Sequence, residues 1–111
     1  MEKIPLENAI TKAIMLWLKA NGYYAVKIHG AAYQTAGLPD IVAIDRKGRM
    51  VGLEVKRPVM GKVTELQKRT LEEINLHGGY AVVVRSVEDA QKAMERSEAG
   101  LAAFIIDPGA R

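Results

Sequence analysis

The chain has 111 residues, no cysteine and a net charge of +3 from 16 basic and 13 acidic side chains. Its 49% hydrophobic and 26% charged content is that of one soluble globular domain, without length for a second core. Disulfides and thiolate metal sites are excluded, the longest apolar run (Ala13 to Leu18) is too short for a membrane span, and Met1-Glu2-Lys3-Ile4-Pro5 lacks a secretion-signal pattern, so the expected location is the cytoplasm.

From about Pro5 to Ala20, Leu6, Ile10, Ala13, Ile14, Trp17 and Leu18 recur with a helical period. Pro5 suits a first turn and Asn21-Gly22 supplies a stop. Tyr23 to Ile28 is β-branched and aromatic, the composition of a strand. His29 to Pro39 is small, polar and glycine-containing, and reads as a loop. Asp40 to Asp45 and Met50 to Lys56 flank Arg46-Lys47-Gly48-Arg49, a hairpin with Gly48 in its turn. After a loop from Arg57 to Val63, Thr64-Glu65-Leu66-Gln67 has the spacing of a capping box and opens a helix to about His77. Tyr80 to Arg85 is nearly all apolar, as expected of a strand covered on both faces. Ser86 offers an N-cap for a helix to about Ala99, and Leu101 to Ile106 suggests a last short strand. The order α-β-β-β-α-β-α predicts one α/β domain over residues 1–111, a mixed central sheet flanked by helices.

Charge is unevenly spread. Arg46, Lys47, Arg49, Lys56, Arg57, Lys62, Lys68 and Arg69 crowd the middle of the chain against only Glu54 and Glu65, whereas the C-terminal third is acid-rich. The asymmetry suggests a polyanion met on one face.

The middle hairpin carries the chemistry. With residues 46–48 as its loop, Asp40 stands opposite Glu54; a two-residue loop at Lys47-Gly48 displaces that pairing by one position. Opposed residues hold their Cβ atoms roughly 4.5–5.5 Å apart. Glu54 and Lys56, two apart on one strand, project on one face. Two ionised carboxylates this close repel unless a cation intervenes. A hard ion such as Mg²⁺ takes oxygen ligands and keeps waters, one of which supplies hydroxide for attack on phosphorus. Lys56 beside it is placed to orient that water or stabilise negative charge, and the Val55 backbone carbonyl is a further candidate ligand. Gly37, Leu38 and Pro39 aim Asp40 into the sheet, since a residue before proline is held extended and glycine permits an unusual turn. The competing reading is an exposed salt bridge between Glu54 and Lys56.

Gly37-Leu38-Pro39-Asp40, then Gly52-Leu53-Glu54-Val55-Lys56-Arg57-Pro58, then Thr64-Glu65-Leu66-Gln67, resemble the PD-(D/E)xK nucleases, most closely the VRR-NUC branch. Such domains occur as compact stand-alone proteins in phages and prophages and as modules of larger repair nucleases. The resemblance covers about residues 7 to 85 and implies a restriction-endonuclease-like core with metal-dependent cleavage of DNA. It implies Asp40 and Glu54 as metal-binding carboxylates and Lys56 as the catalytic lysine. Glu7 is the implied acidic residue of the first helix, reaching the metal directly or through water. Gln67 is implied to support the lysine or a water. It further implies Mg²⁺ or Mn²⁺, a homodimer, activity resembling Holliday-junction resolvases, and a bacterial or phage-infected host cell. Lys27, His29, Tyr33, Gln34, Arg57 and Lys62 are candidates for contacts to DNA. Trp17 is read as core, and Tyr23, Tyr24 and Tyr80 as core or interface. A non-catalytic DNA-binding or dimerising module on the same fold is the alternative, and a base-reading restriction enzyme is weaker, because little chain remains to read bases.

Overall fold

The computed structural model of the chain describes residues 3–28 and 37–109. Its elements are α1 (Glu7–Ala20), β1 (Tyr24–Lys27), β2 (Ile41–Ile44), β3 (Met50–Val55), α2 (Glu65–Leu76), β4 (Tyr80–Val84) and α3 (Val87–Glu98). The order is the predicted one. The four strands lie side by side as β1-β2-β3-β4. β1, β2 and β3 are antiparallel neighbours, and β4 joins β3 in parallel after crossing through α2. The sheet is therefore mixed, since a parallel partner requires a crossover and a hairpin does not.

Alternation along the strands divides the core into two layers. Ile41, Ala43, Val51, Leu53, Val55, Val82 and Val84 face α1 and α3, meeting Ile10, Ile14, Leu18, Ala90 and Met94. Ala81 and Val83 face the other way and pack on Leu71 of α2, with Ile74 and Val63 beside them. Trp17 and Tyr23 pack partly buried against the larger cluster, and Tyr80 belongs to it. α2 packs on β3 and β4. On that side Tyr24 and Val26 of β1 and Ile44 of β2 stay exposed.

Caps follow the sequence closely. Thr64 Oγ1 accepts the Gln67 N–H and Gln67 Oε1 accepts the Thr64 N–H, a complete capping box. Ser86 Oγ accepts the Asp89 N–H at the start of α3. Two expectations fail. α1 begins at Glu7 rather than Pro5, because Leu6 is the extended residue ahead of the first turn and leaves Pro5 outside. Leu101 to Ile106 is not a strand. Its one backbone bond to the sheet among the described residues is Val83 N–H to the Ile106 carbonyl, 2.7 Å. Arginines hold this segment instead: Arg49 donates to the Leu101 carbonyl and Arg85 to Asp107, each at 2.7 Å.

Leu53 is fully buried on an interior strand. Leu53→Ala should cost about 2–5 kcal/mol in urea denaturation, while Tyr24→Ala on the uncovered face should cost less than about 1 kcal/mol. Comparable losses would contradict the two-layer arrangement.

Candidate active site

The β2–β3 register settles which carboxylates meet. The Asp45 N–H donates to the Arg49 carbonyl at 2.9 Å, so residues 46–48 form a three-residue loop. Ile41 then pairs with Leu53, and one step outward Asp40 stands opposite Glu54. Asp40 is fixed from two directions. Its Oδ2 accepts the Val55 N–H at 2.7 Å, and its carbonyl accepts the Ile28 N–H at 2.8 Å. The approach is built as the sequence suggested: Gly37 has φ +85 and Pro39 is fully buried. The Val55 carbonyl points to the same edge of β3 as its N–H, the edge on which Asp40 lies.

Glu54 is 2% exposed and Lys56 8%, so the pair is buried and the exposed-salt-bridge reading fails. Lys56 Nζ lies 3.7 Å from Glu54 Oε2, within ion-pair reach. Gln67 Nε2 donates to the same oxygen at 3.1 Å. Gln67 thus holds Glu54, not the lysine, while its own carbonyl oxygen completes the cap of α2. Among the described residues no group donates a hydrogen bond to the buried Glu54 Oε1. Burial first, then the like charge of Asp40 and a hydrogen bond shared between the two carboxyl groups, push the Glu54 carboxyl up to about 8, against a smaller lowering by Lys56.

A buried carboxyl oxygen that no group donates to, beside a second carboxylate and a backbone carbonyl, is an all-oxygen donor set once the shared proton leaves. It suits a hard divalent cation that retains water. Glu7 is not gathered with it: among the described residues no three acidic, His or Cys side chains cluster as a cation site. Glu7 reaches Glu54 only as the weakest of its like charges, from the start of α1. A cation held by two carboxylates and water does not need it as a direct ligand.

The remaining candidates scatter. Lys27 pairs with Ile41 and so projects toward α1, the face opposite Glu54. Arg57 is occupied at the N-terminal segment, donating to the carbonyls of Pro5 and Ile4 at 3.3 Å. Lys62 is exposed in the loop before α2. His29, Tyr33 and Gln34 lie outside the described residues. The basic middle of the chain does not form one face. Arg46 and Arg49 sit at the hairpin turn, about 20 Å of strand from the open end. There they bond Glu98 and Tyr23, or the carbonyls of Gly78, Gly79 and Leu101. Sequence reasoning missed two residues. Arg85 Nη1 donates to the carbonyls of Arg57 (2.7 Å) and Gly61 (2.8 Å), fastening the loop after Lys56. A Cβ at Gly61 would lie 2.8 Å from Lys56 Cβ, so this loop closes only with glycine there. An arginine ending an apolar strand was the one signal for the first; the second had none.

The comparisons with known proteins rest on structure. A solved structure described as a VRR_NUC domain matches with TM-score 0.66 at 26% identity, over 80% of this chain and 94% of its own. Another, described as a VRR_NUC domain protein, matches with TM-score 0.74 at 20% identity over 97% of both chains. No family model matches the sequence, and no curated protein does. The chain has the VRR_NUC fold, a restriction-endonuclease-like α/β core, and these likenesses support its membership of the VRR-NUC family.

Glu54 makes stability depend on pH. Its folded value of about 8 lies above the ordinary 4.5, so the folded chain holds a proton that the unfolded chain has released between those limits. The contribution is complete below about pH 4.5 and is lost as pH rises toward 8, with a slope of at most about 1.4 kcal/mol per pH unit. In EDTA, urea midpoints should fall across this window, and Glu54→Gln should flatten the fall. A wild-type midpoint that rises or stays level would contradict a buried, proton-holding carboxyl.

Proposed function

We propose that this chain is a divalent-cation-dependent endonuclease that hydrolyses phosphodiester bonds of DNA, selective for branched forms such as a Holliday junction, in replication, repair or recombination. The observation that carries the reading is the buried, unpartnered Glu54 Oε1 with Asp40 as its neighbour and Lys56 on the same face. A purely structural strand has no reason to retain this arrangement, because burying two facing carboxyl groups with one oxygen unsatisfied is costly.

Asp40, Glu54 and the Val55 carbonyl would hold Mg²⁺ or Mn²⁺, with Glu7 reaching it through water. When bound, such an ion supplies charge stabilisation at phosphate and a water of lowered pKa. The protein's own groups divide the remaining work. Asp40 is immobilised by the Val55 N–H and does not need to move to bind. Gln67 keeps Oε2 of Glu54 occupied and leaves Oε1 as the oxygen available to a ligand. Lys56, tethered by Glu54, sets its ammonium beside the scissile phosphate, where negative charge grows during in-line displacement. Glu54 acts as a ligand only when ionised, so cation affinity rises with pH.

The reading includes a homodimer, because cutting both strands of a junction needs two sites in a symmetric arrangement. The uncovered face carrying Tyr24, Val26 and Ile44 is apolar surface on which copies can meet.

Incubation with a four-way junction and a matched linear duplex, with Mg²⁺, Mn²⁺ or EDTA, tests the proposal. Cation-dependent cleavage that favours the junction is expected, and Asp40→Asn or Lys56→Ala should each lower it roughly a hundredfold or more. Both variants should keep DNA binding and folding. Undiminished cutting by Asp40→Asn would remove the mechanism. Salt-sensitive binding with no cleavage under either ion would leave a non-catalytic DNA-holding module.

A further inference from the structure

The loop Arg57–Gly61 leaves β3 directly after Lys56 and contains the one non-glycine residue at positive φ among the described residues, Val59 at +67. The Met60 N–H donates to the Pro58 carbonyl at 2.7 Å, closing a three-residue turn around it. A β-branched residue in this region is strained and persists only where its surroundings hold it. Here the hold is visible. The Gly61 N–H reaches the Arg57 carbonyl at 3.2 Å, and the Arg85 guanidinium binds both of those residues' carbonyls and Asp107. The strain leaves Val59 89% exposed.

Beside the turn opens a cleft of about 750 Å³ whose walls include Val59, Lys62, Lys68 and Phe104, with Arg85 and Asp107 inside it. Arg85 and Asp107 neutralise each other at 2.7 Å, so the lysines set the charge of the cleft. Lys68 makes only an exposed contact of 4.0 Å with Glu65. Phe104, the chain's single phenylalanine, is 92% exposed. A bare aromatic ring in one cleft with two ammonium groups is the chemistry that takes unpaired nucleotides: bases stack on the ring and phosphates meet the lysines. Paired bases already stacked within a duplex cannot use the ring.

We infer that this cleft binds an unpaired DNA strand passing the active site, with Phe104 as its stacking platform, Lys62 and Lys68 as phosphate contacts, and Val59 as an apolar edge beside the departing bases. The inference rests on the nuclease reading and narrows its branched substrates to those with an unpaired segment next to the scissile phosphate, in preference to a fully paired four-way junction.

The test is a binding measurement on the full chain in EDTA, using fluorescence anisotropy of a labelled oligothymidylate and of a blunt duplex. Phe104→Ala should weaken oligothymidylate binding about tenfold and leave duplex binding unchanged. Lys62→Ala and Lys68→Ala should each weaken binding and reduce its salt dependence. Phe104 is exposed, so its replacement does not threaten the fold, which circular dichroism will verify. No binding of oligothymidylate, equal affinity of wild type and Phe104→Ala, or equal losses on both ligands would overturn the cleft assignment. Cleavage absent with the Phe104 effect present would sink the nuclease reading alone, and cleavage present with no Phe104 effect would sink the cleft alone.

Discussion

Placing the Glu54 carboxyl at 2% exposure on an interior strand is the constraint around which the other parts of the site are arranged. A buried charge without compensation costs several kcal/mol. The surrounding groups reduce that cost only halfway: Gln67 and Lys56 satisfy one oxygen, while the second oxygen has no partner and Asp40 stands opposite. The carboxyl therefore keeps its proton well above its ordinary range. A cation among these oxygens would resolve the remaining conflict, which links stability, pH and ligand binding through one side chain.

Gln67 joins that conflict to the architecture. Its amide oxygen closes the capping box of α2 and its amide nitrogen binds Glu54. The helix start and the carboxylate are thereby held in one geometry, and α2 is also the crossover that brings β4 alongside β3. Arg85 plays a comparable part at the end of β4. It ties the loop after Lys56 to the C-terminal segment, so the residues flanking the site are braced by both parallel strands.

Much of this was legible in the residues. The seven elements and both side-chain caps follow from hydrophobic period and cap chemistry, which act over a few residues, and the pairing of Asp40 with Glu54 is one of the two registers that the short turn allowed. The failures share a cause. Leu101 to Ile106 has strand composition, yet Arg49 and Arg85 capture its ends through contacts with residues far back in the chain. The turn arginines looked like one basic patch with Lys56, and Lys27 like a DNA contact beside it, but strand length puts the arginines at another end and strand alternation puts Lys27 on another face.

The sequence by itself determined the order of elements and the cap positions, and it placed Asp40, Glu54 and Lys56 at the end of the hairpin remote from its turn, because those depend on local periodicity and on one short turn. Tertiary structure alone decided that Glu54 is buried with an unpartnered oxygen, that Gln67 holds Glu54 rather than Lys56, that Glu7 stays apart, and that Phe104 and Val59 line one cleft. Each of these is a relation between segments distant in the chain. Desolvation and side-chain partnership come into being only when the layers close on one another.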